Sequence, residues 1–165
     1  MFAFRMKHNV YLLLGCNLGD CLHNLLIARQ KISRQVGTII TNSAIYRSAA
    51  WGKTDQPDFY NQVVKVTTSG TPDDALAKIQ KIEAEMGRSR LEKWGSRIID
   101  IDLLFWDDLI LNEPQLKIPH PGIQDRRFTL VPLADIEPGL NHPVLGKTMI
   151  QLLQECTDPL WVEKL

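Results

Sequence analysis

The chain has 165 residues, 44% of them hydrophobic and 23% charged, with 19 basic side chains balancing 19 acidic ones. That length suits one domain with its own core. Zero net charge argues against a general nucleic-acid binder, which carries a basic excess. No stretch approaches the ~20 apolar residues of a membrane-spanning helix. Residues 1–9 carry Arg5 and Lys7 without a continuous apolar run, so they do not read as a signal peptide. Cys16, Cys21 and Cys156 are odd in number and lack a CxxC spacing. They read as free thiols in a reducing compartment, and the expected location is cytoplasmic.

Residues 10–14 are apolar and predict a central strand ending at Gly15. Residues 15–20 form a turn in which Asp20 can cap the next helix. There Leu22, Leu25, Leu26, Ile32 and Val36 recur at threes and fours, and Gly37 ends the stripe. The β-branched residues 38–47 predict a second strand. Residues 48–60, with Gly52 and Pro57, form a loop long enough to be functional. Residues 61–68 predict a third strand, antiparallel to the second. Thr71, Pro72, Asp73 and Asp74 open a second helix, whose buried stripe is Leu76, Ile79, Ile82 and Met86. Gly87 stops it. A basic segment follows with Arg88, Arg90, Lys93 and Arg97, and then a strand over residues 98–106.

The order strand, helix, strand, strand, helix, strand is that of a ferredoxin-like α+β fold. It predicts a βαββαβ core, an antiparallel sheet with helices on one face, and a C-terminal extension from Asp107 with a short helix over 148–156. No linker or low-complexity tract interrupts the chain, so residues 1–165 are expected to form a single domain.

The strand over residues 98–106 carries the most telling pair, Asp100 and Asp102. Strand side chains alternate, so Ile99, Ile101, Leu103 and Phe105 share one face, and Ile98, Asp100, Asp102, Leu104 and Trp106 the other. Alternate residues lie about 6.6–7 Å apart. Two carboxylates there, shielded by apolar neighbours, repel each other and lose hydration. A divalent cation, or a pair of them, relieves the conflict; a solvated strand face is the alternative. The preceding cations suit a magnesium-bound polyphosphate, the acids holding metal and the bases holding the remaining oxygens. A salt bridge from Arg97 to an aspartate is the plainer reading of the same charges.

Phe59 and Phe128 are candidates to hold a planar heterocycle between them, with Asn61 reading its polar edge. His120 sits between Pro119 and Pro121, where it can donate to a phosphate or serve the turn. Gly146-Lys147-Thr148 lacks the upstream glycine of a phosphate loop and reads as a turn. Nucleophile and protein-kinase motifs are missing from the sequence. A non-catalytic ferredoxin-like module binding RNA or a metabolite is the competing reading, though an RNA-recognition sheet carries stacking aromatics and a basic face.

These segments together resemble the 6-hydroxymethyl-7,8-dihydropterin pyrophosphokinase family of folate biosynthesis, from about Asn9 to beyond Ile136. The resemblance is carried by Gly15-Cys16-Asn17-Leu18-Gly19-Asp20, by Asp55-Gln56-Pro57-Asp58-Phe59-Tyr60-Asn61, and by Trp94-Gly95-Ser96-Arg97-Ile98-Ile99-Asp100-Ile101-Asp102-Leu103. Pro119-His120-Pro121 and Arg126-Arg127-Phe128 follow in order. The resemblance implies transfer of the β,γ-pyrophosphoryl group of ATP to the pterin hydroxymethyl group, with release of AMP. It implies two Mg2+ ions on Asp100 and Asp102, with Arg88 and Arg97 also in the catalytic set. It implies a pterin between Phe59 and Phe128, read by Asn61 and by backbone groups of Ser48, Ala49 and Trp51. ATP would be met by Gln80, Glu83, Arg88, Trp94, Arg97, His120 and Arg126. The implied partners are these small molecules, with no nucleic acid, membrane or obligate protein partner. Cys16 stands where the family usually has serine, Ala49-Ala50 where it has prolines, and Gln115 and Lys117 where some members touch the nucleotide.

Overall fold

A computed structural model describes residues 5–52, 55–88 and 95–165. The elements in chain order are β1 (His8–Cys16), α1 (Cys21–Gln35), β2 (Thr38–Asn42), β3 (Tyr46–Ser48), β4 (Phe59–Thr68), α2 (Pro72–Glu85) and β5 (Asp100–Trp106). A small hairpin of β6 (Leu111–Asn112) and β7 (Lys117–Ile118) follows. Then come α3 (Arg127–Ile136), α4 (Met149–Glu155) and β8 (Val162–Lys164). The fold is mixed α/β, with an antiparallel sheet and four α-helices among the described residues.

The helix starts follow the local chemistry read from the sequence. Asp20 accepts from His23 N at 3.0 Å, and Thr71 accepts from Asp74 N at 3.2 Å. Thr148 and Gln151 form a reciprocal capping box at α4, which makes Gly146-Lys147-Thr148 the turn into that helix.

β1 lies between β4 and β5, and all pair antiparallel. The stretch predicted as one strand over 38–47 is two. β2 pairs with one part of β4 and β3 with another. Between them Ser43 Oγ accepts from Val63 N at 3.0 Å, so a side chain replaces a rung of the ladder. β8 extends the sheet beyond β3.

Helices cover both faces of this sheet, which corrects the expectation of one. Val10, Leu12, Leu14, Val64 and Val66 pack with Leu25, Ala28 and Ile32 of α1 and Ile79 and Ile82 of α2. Tyr11, Leu13, Val63 and Leu104 pack instead with Leu130 and Leu133 of α3 and Met149 and Leu152 of α4. β1 is apolar on both sides, the mark of a strand buried twice over.

A second correction concerns β5. The pairing runs Tyr11 to Phe105 and then Leu12 to Leu103, leaving Leu104 as an extra residue. This bulge breaks the alternation. Phe105 joins Leu104 in the α3–α4 core, and Trp106 joins Ile99, Ile101 and Leu103 in the α1–α2 core. Upstream of the bulge the alternation holds.

The expectation of three free thiols is also corrected. Cys16 and Cys21 form a disulfide with Cα atoms 5.4 Å apart, and Cys156 is free. The turn over 17–20 returns the chain from the end of β1 to the first residue of α1, so a spacing of five suffices. Among the described residues no helix is long and apolar enough to cross a membrane.

Candidate active site

A cleft of about 270 Å³ opens at the end of the sheet where β1 leaves and β5 enters. Register places its floor: Leu13 pairs with Asp102, and Gly15 pairs with Asp100 on one side and Asn61 on the other. Leu13, Gly15, Asp100 and Asp102 all line the cleft. A Cβ built at Gly15 would stand 3.5 Å from Asn61 Oδ1 and 3.8 Å from Phe59 Cδ1, so a larger side chain there would intrude between them.

β3 and the segment after it add Ser48, Ala49 and Trp51, and β4 adds Phe59 and Asn61. Asn61 is 2% exposed and donates to Ser48 Oγ at 2.9 Å. That bond fixes the orientation of the amide and leaves Oδ1 turned toward Gly15. His120 and Arg126 enter from the segment between β7 and α3, and Phe128 from the first turn of α3. The Arg126 guanidinium stacks 4.7 Å from the Trp51 ring centroid and 6.0 Å from that of Phe128. Its buried Nε has no hydrogen-bond partner among the described residues.

Charge is concentrated around Asp100. Arg97 pairs with its Oδ2, and Arg88 approaches Oδ1 at 2.8 Å. The plainer sequence reading, a salt bridge from Arg97 to an aspartate, is therefore also seen. Glu83 is buried behind the pair, accepts from Ile101 N at 2.8 Å and bonds Arg88. Burial pushes its carboxyl up, against the pull of that hydrogen bond and of Arg88. The Asp102 carboxyl is pushed up to about 7, first by burial and then by Asp100. His120 is pulled down to about 4 by burial and then by Arg126. Its Nδ1 accepts from Gly122 N at 3.1 Å, which puts the ring proton on Nε2. Among the described residues no three His, Cys, Asp or Glu side chains gather around one point.

Most of the residues singled out in the sequence meet here: Ser48, Ala49, Trp51, Phe59, Asn61, Arg88, Arg97, Asp100, Asp102, His120, Arg126 and Phe128 all line the cleft. Gln80 and Glu83 do not. Gln80 is exposed on α2, and Glu83 sits beneath Arg88. Trp94, Arg90 and Lys93 lie outside the described residues. Sequence reasoning missed Leu13 and Asn17. Leu13 was hidden because an apolar strand residue carries no chemical signal. Asn17 is 5% exposed and donates through Nδ2 to Gln56 Oε1 at 2.9 Å and to Pro57 O at 3.1 Å. Its place in a Gly-bracketed turn gave a clue to position but none to its partners.

Known proteins with the same sequence pattern give the class first: this is an ATP-dependent pyrophosphokinase. The family model described as 7,8-dihydro-6-hydroxymethylpterin-pyrophosphokinase (HPPK) matches residues 11–138, and the chain belongs to that family. A 2-amino-4-hydroxy-6-hydroxymethyldihydropteridine pyrophosphokinase from Aquifex aeolicus is 41% identical over 148 residues, covering 90% of this chain and 92% of the relative. One from Synechocystis is 42% identical over 153 residues, covering 91% and 78%. Among solved structures, wild-type Plasmodium falciparum HPPK-DHPS with SDX-DHP superposes with a TM-score of 0.71 at 20% identity. The match covers 90% of this chain and 43% of that longer one, and it speaks to the fold. The chain accordingly transfers the pyrophosphoryl group of ATP to hydroxymethyldihydropterin in folate synthesis.

Proposed function

We propose that this cleft holds both substrates together, with Asp100 and Asp102 binding two magnesium ions that carry the triphosphate of ATP. The observation that carries the reading is that both carboxylates line one cleft with Phe59 and Phe128. Paired hard carboxylates suit magnesium, which completes its octahedron with waters and substrate phosphate oxygens. Bound there, magnesium would neutralise the charge that develops on the attacked and departing oxygens.

The chain's own groups supply position and charge. Phe59 and Phe128 sandwich the pterin ring, and Asn61, oriented by Ser48, reads its edge with backbone groups of Ser48, Ala49 and Trp51. Arg88 and Arg97 wait beside Asp100 and turn their donors onto phosphate oxygens. His120 donates from Nε2 while uncharged, and Arg126 offers the guanidinium edge that its stacking leaves free. Trp94 belongs with the nucleotide on the same family pattern. The pterin hydroxyl oxygen attacks the β-phosphorus, the bond to the α-phosphate bridging oxygen breaks, and AMP leaves. Holding two reactants in line is the largest contribution such residues make when no covalent nucleophile takes part.

The wider reading is a single domain over 1–165 with a ferredoxin-like βαββαβ core, supported by the strand order β5-β1-β4-β2, and a C-terminal extension. It works on small molecules, with no nucleic acid, membrane or obligate protein partner. A cytoplasmic location fits folate synthesis. Product analysis after incubation with magnesium, ATP and the hydroxymethyl dihydropterin tests the reading. AMP with a pyrophosphorylated pterin is expected, whereas ADP contradicts it.

A further inference from the structure

The C-terminal segment touches both sides of the cleft without entering it. On one side it meets the start of α3. Arg126, the residue before that helix, makes no side-chain cap, which leaves the helix N–H groups without the usual local acceptor. Asp158 takes the place: it is 8% exposed, and its Oδ2 accepts from Arg127 N at 3.0 Å. A carboxylate suits the positive end of a helix. Asp158 Oδ1 is held in turn by Leu160 N at 3.0 Å. Arg127 returns the contact, Nε donating to Asp158 O at 3.1 Å and Nη2 to Cys156 O at 3.2 Å. Arg127 is flanked in sequence by Arg126 and Phe128, both of which line the cleft.

On the other side the segment becomes β8 and pairs with β3, Ser48 opposite Val162 and Tyr46 opposite Lys164. Leu165 N adds a bond to Ile45 O at 3.0 Å. Arg47 pairs with Glu163 at 3.1 Å and lies 5.4 Å from the Trp161 ring centroid. β3 delivers Ser48 to Asn61 and leads directly into Ala49 and Trp51. The strap therefore runs from the Phe128 wall to the Ser48 wall within nine residues of Cys156.

We propose that the C-terminal segment, through Asp158 and Arg127, positions the two walls of the pterin cleft against each other. Asp158 and Arg127 are positioning residues; neither lines the cleft. The inference rests on the pterin assignment made above. It differs from a general stabilising role because the carboxylate pair, Arg88 and Arg97 sit on other segments, so Arg126 is the one proposed nucleotide contact adjoining the strap among several, whereas both walls of the pterin cleft are held by it. Loosening the strap alters acceptor binding more than nucleotide binding.

The test is steady-state kinetics on full-length Asp158→Ala, Asp158→Asn and Arg127→Met, with thermal melting of each. Asp158→Ala is expected to raise KM for the hydroxymethyl dihydropterin about tenfold and KM for ATP by no more than about twofold, the scale of losing one charged helix cap. Asp158→Asn, which keeps an acceptor oxygen, recovers most of the loss. Arg127→Met keeps the backbone N–H and moves in the same direction by less; it also serves if Asp158→Ala does not fold. A lower melting temperature with the ratio of the two KM values unchanged overturns the proposal. Phe128→Ala is run alongside. If it weakens acceptor binding and the strap variants do not, the strap alone is wrong. If neither does, the pterin assignment has failed and the strap falls with it.

Discussion

Asn17 and Arg97 exchange two hydrogen bonds: Asn17 N donates to Arg97 O at 3.0 Å, and Arg97 N donates to Asn17 Oδ1 at 2.8 Å. The same amide holds Gln56 and Pro57 through Nδ2. One buried side chain thus joins the segment carrying Arg97, proposed above to meet phosphate, to the loop that ends in Phe59. Asn17→Ala removes three bonds at once. Turnover is expected to fall by on the order of tenfold to a hundredfold, with KM rising for both substrates, since small misplacements of reacting groups are costly. A change confined to one substrate would show that the two segments are not coupled through Asn17.

Asp102 makes opposite predictions for stability and for activity. Its folded pKa, near 7, lies above the ordinary carboxylate value. The folded state therefore binds the proton more tightly than the unfolded one. Without magnesium, stability is highest below about pH 4 for this group and is lost as pH rises toward 7. Asp102→Asn should flatten that slope in urea titrations while lowering turnover on the order of a thousandfold. An unchanged slope would show that Asp102 is ionised throughout.

His120 titrates in the other sense. Its folded pKa of about 4 lies below the ordinary value, so its share of stability is complete above about pH 6.5 and is lost as pH falls toward 4. At neutral pH the ring is uncharged with its proton on Nε2. Nitrogen NMR of the ligand-free protein should show that tautomer unchanged down to about pH 5. A signal that becomes imidazolium near pH 6.5 would remove the neutral-donor role.

The Cys16–Cys21 bond closes a short ring around the turn that contains Asn17. Reduction is expected to cost about 2 kcal/mol, the loop-closure value for so small a ring. Urea titrations with and without a thiol reductant measure it. Coincident curves would show that the bond adds nothing.

The site was more legible than the frame that holds it. Asp100 and Asp102 announced themselves because charge is disfavoured in an apolar strand, and the alternation rule placed both correctly. The same rule failed three residues on. The bulge at Leu104 depends on pairing with β1, which no window of one strand reveals. The break between β2 and β3 likewise depends on Ser43 finding Val63 across the sheet. Gln80 and Glu83 are outside the cleft lining, one exposed on α2 and the other bonded to Arg88, a placement that depends on helix packing no sequence window reveals. Cover on the second sheet face was foreshadowed by Tyr11 and Leu13 standing among the apolar residues of β1. Of the helices that provide it, α4 was expected over 148–156, whereas α3 lies in a proline-containing stretch whose periodicity is too short to read. Asp158 gave no sign at all, because a helix cap supplied from 31 residues away has no local pattern.

The most direct measurement is a crystal structure with magnesium, a non-hydrolysable ATP analogue and the hydroxymethyl dihydropterin. The account predicts carboxylate oxygens of Asp100 and Asp102 ligating magnesium on the triphosphate, with the pterin ring between Phe59 and Phe128. Nucleotide and pterin bound with both carboxylates still paired only to arginine, and no ion beside them, would contradict it.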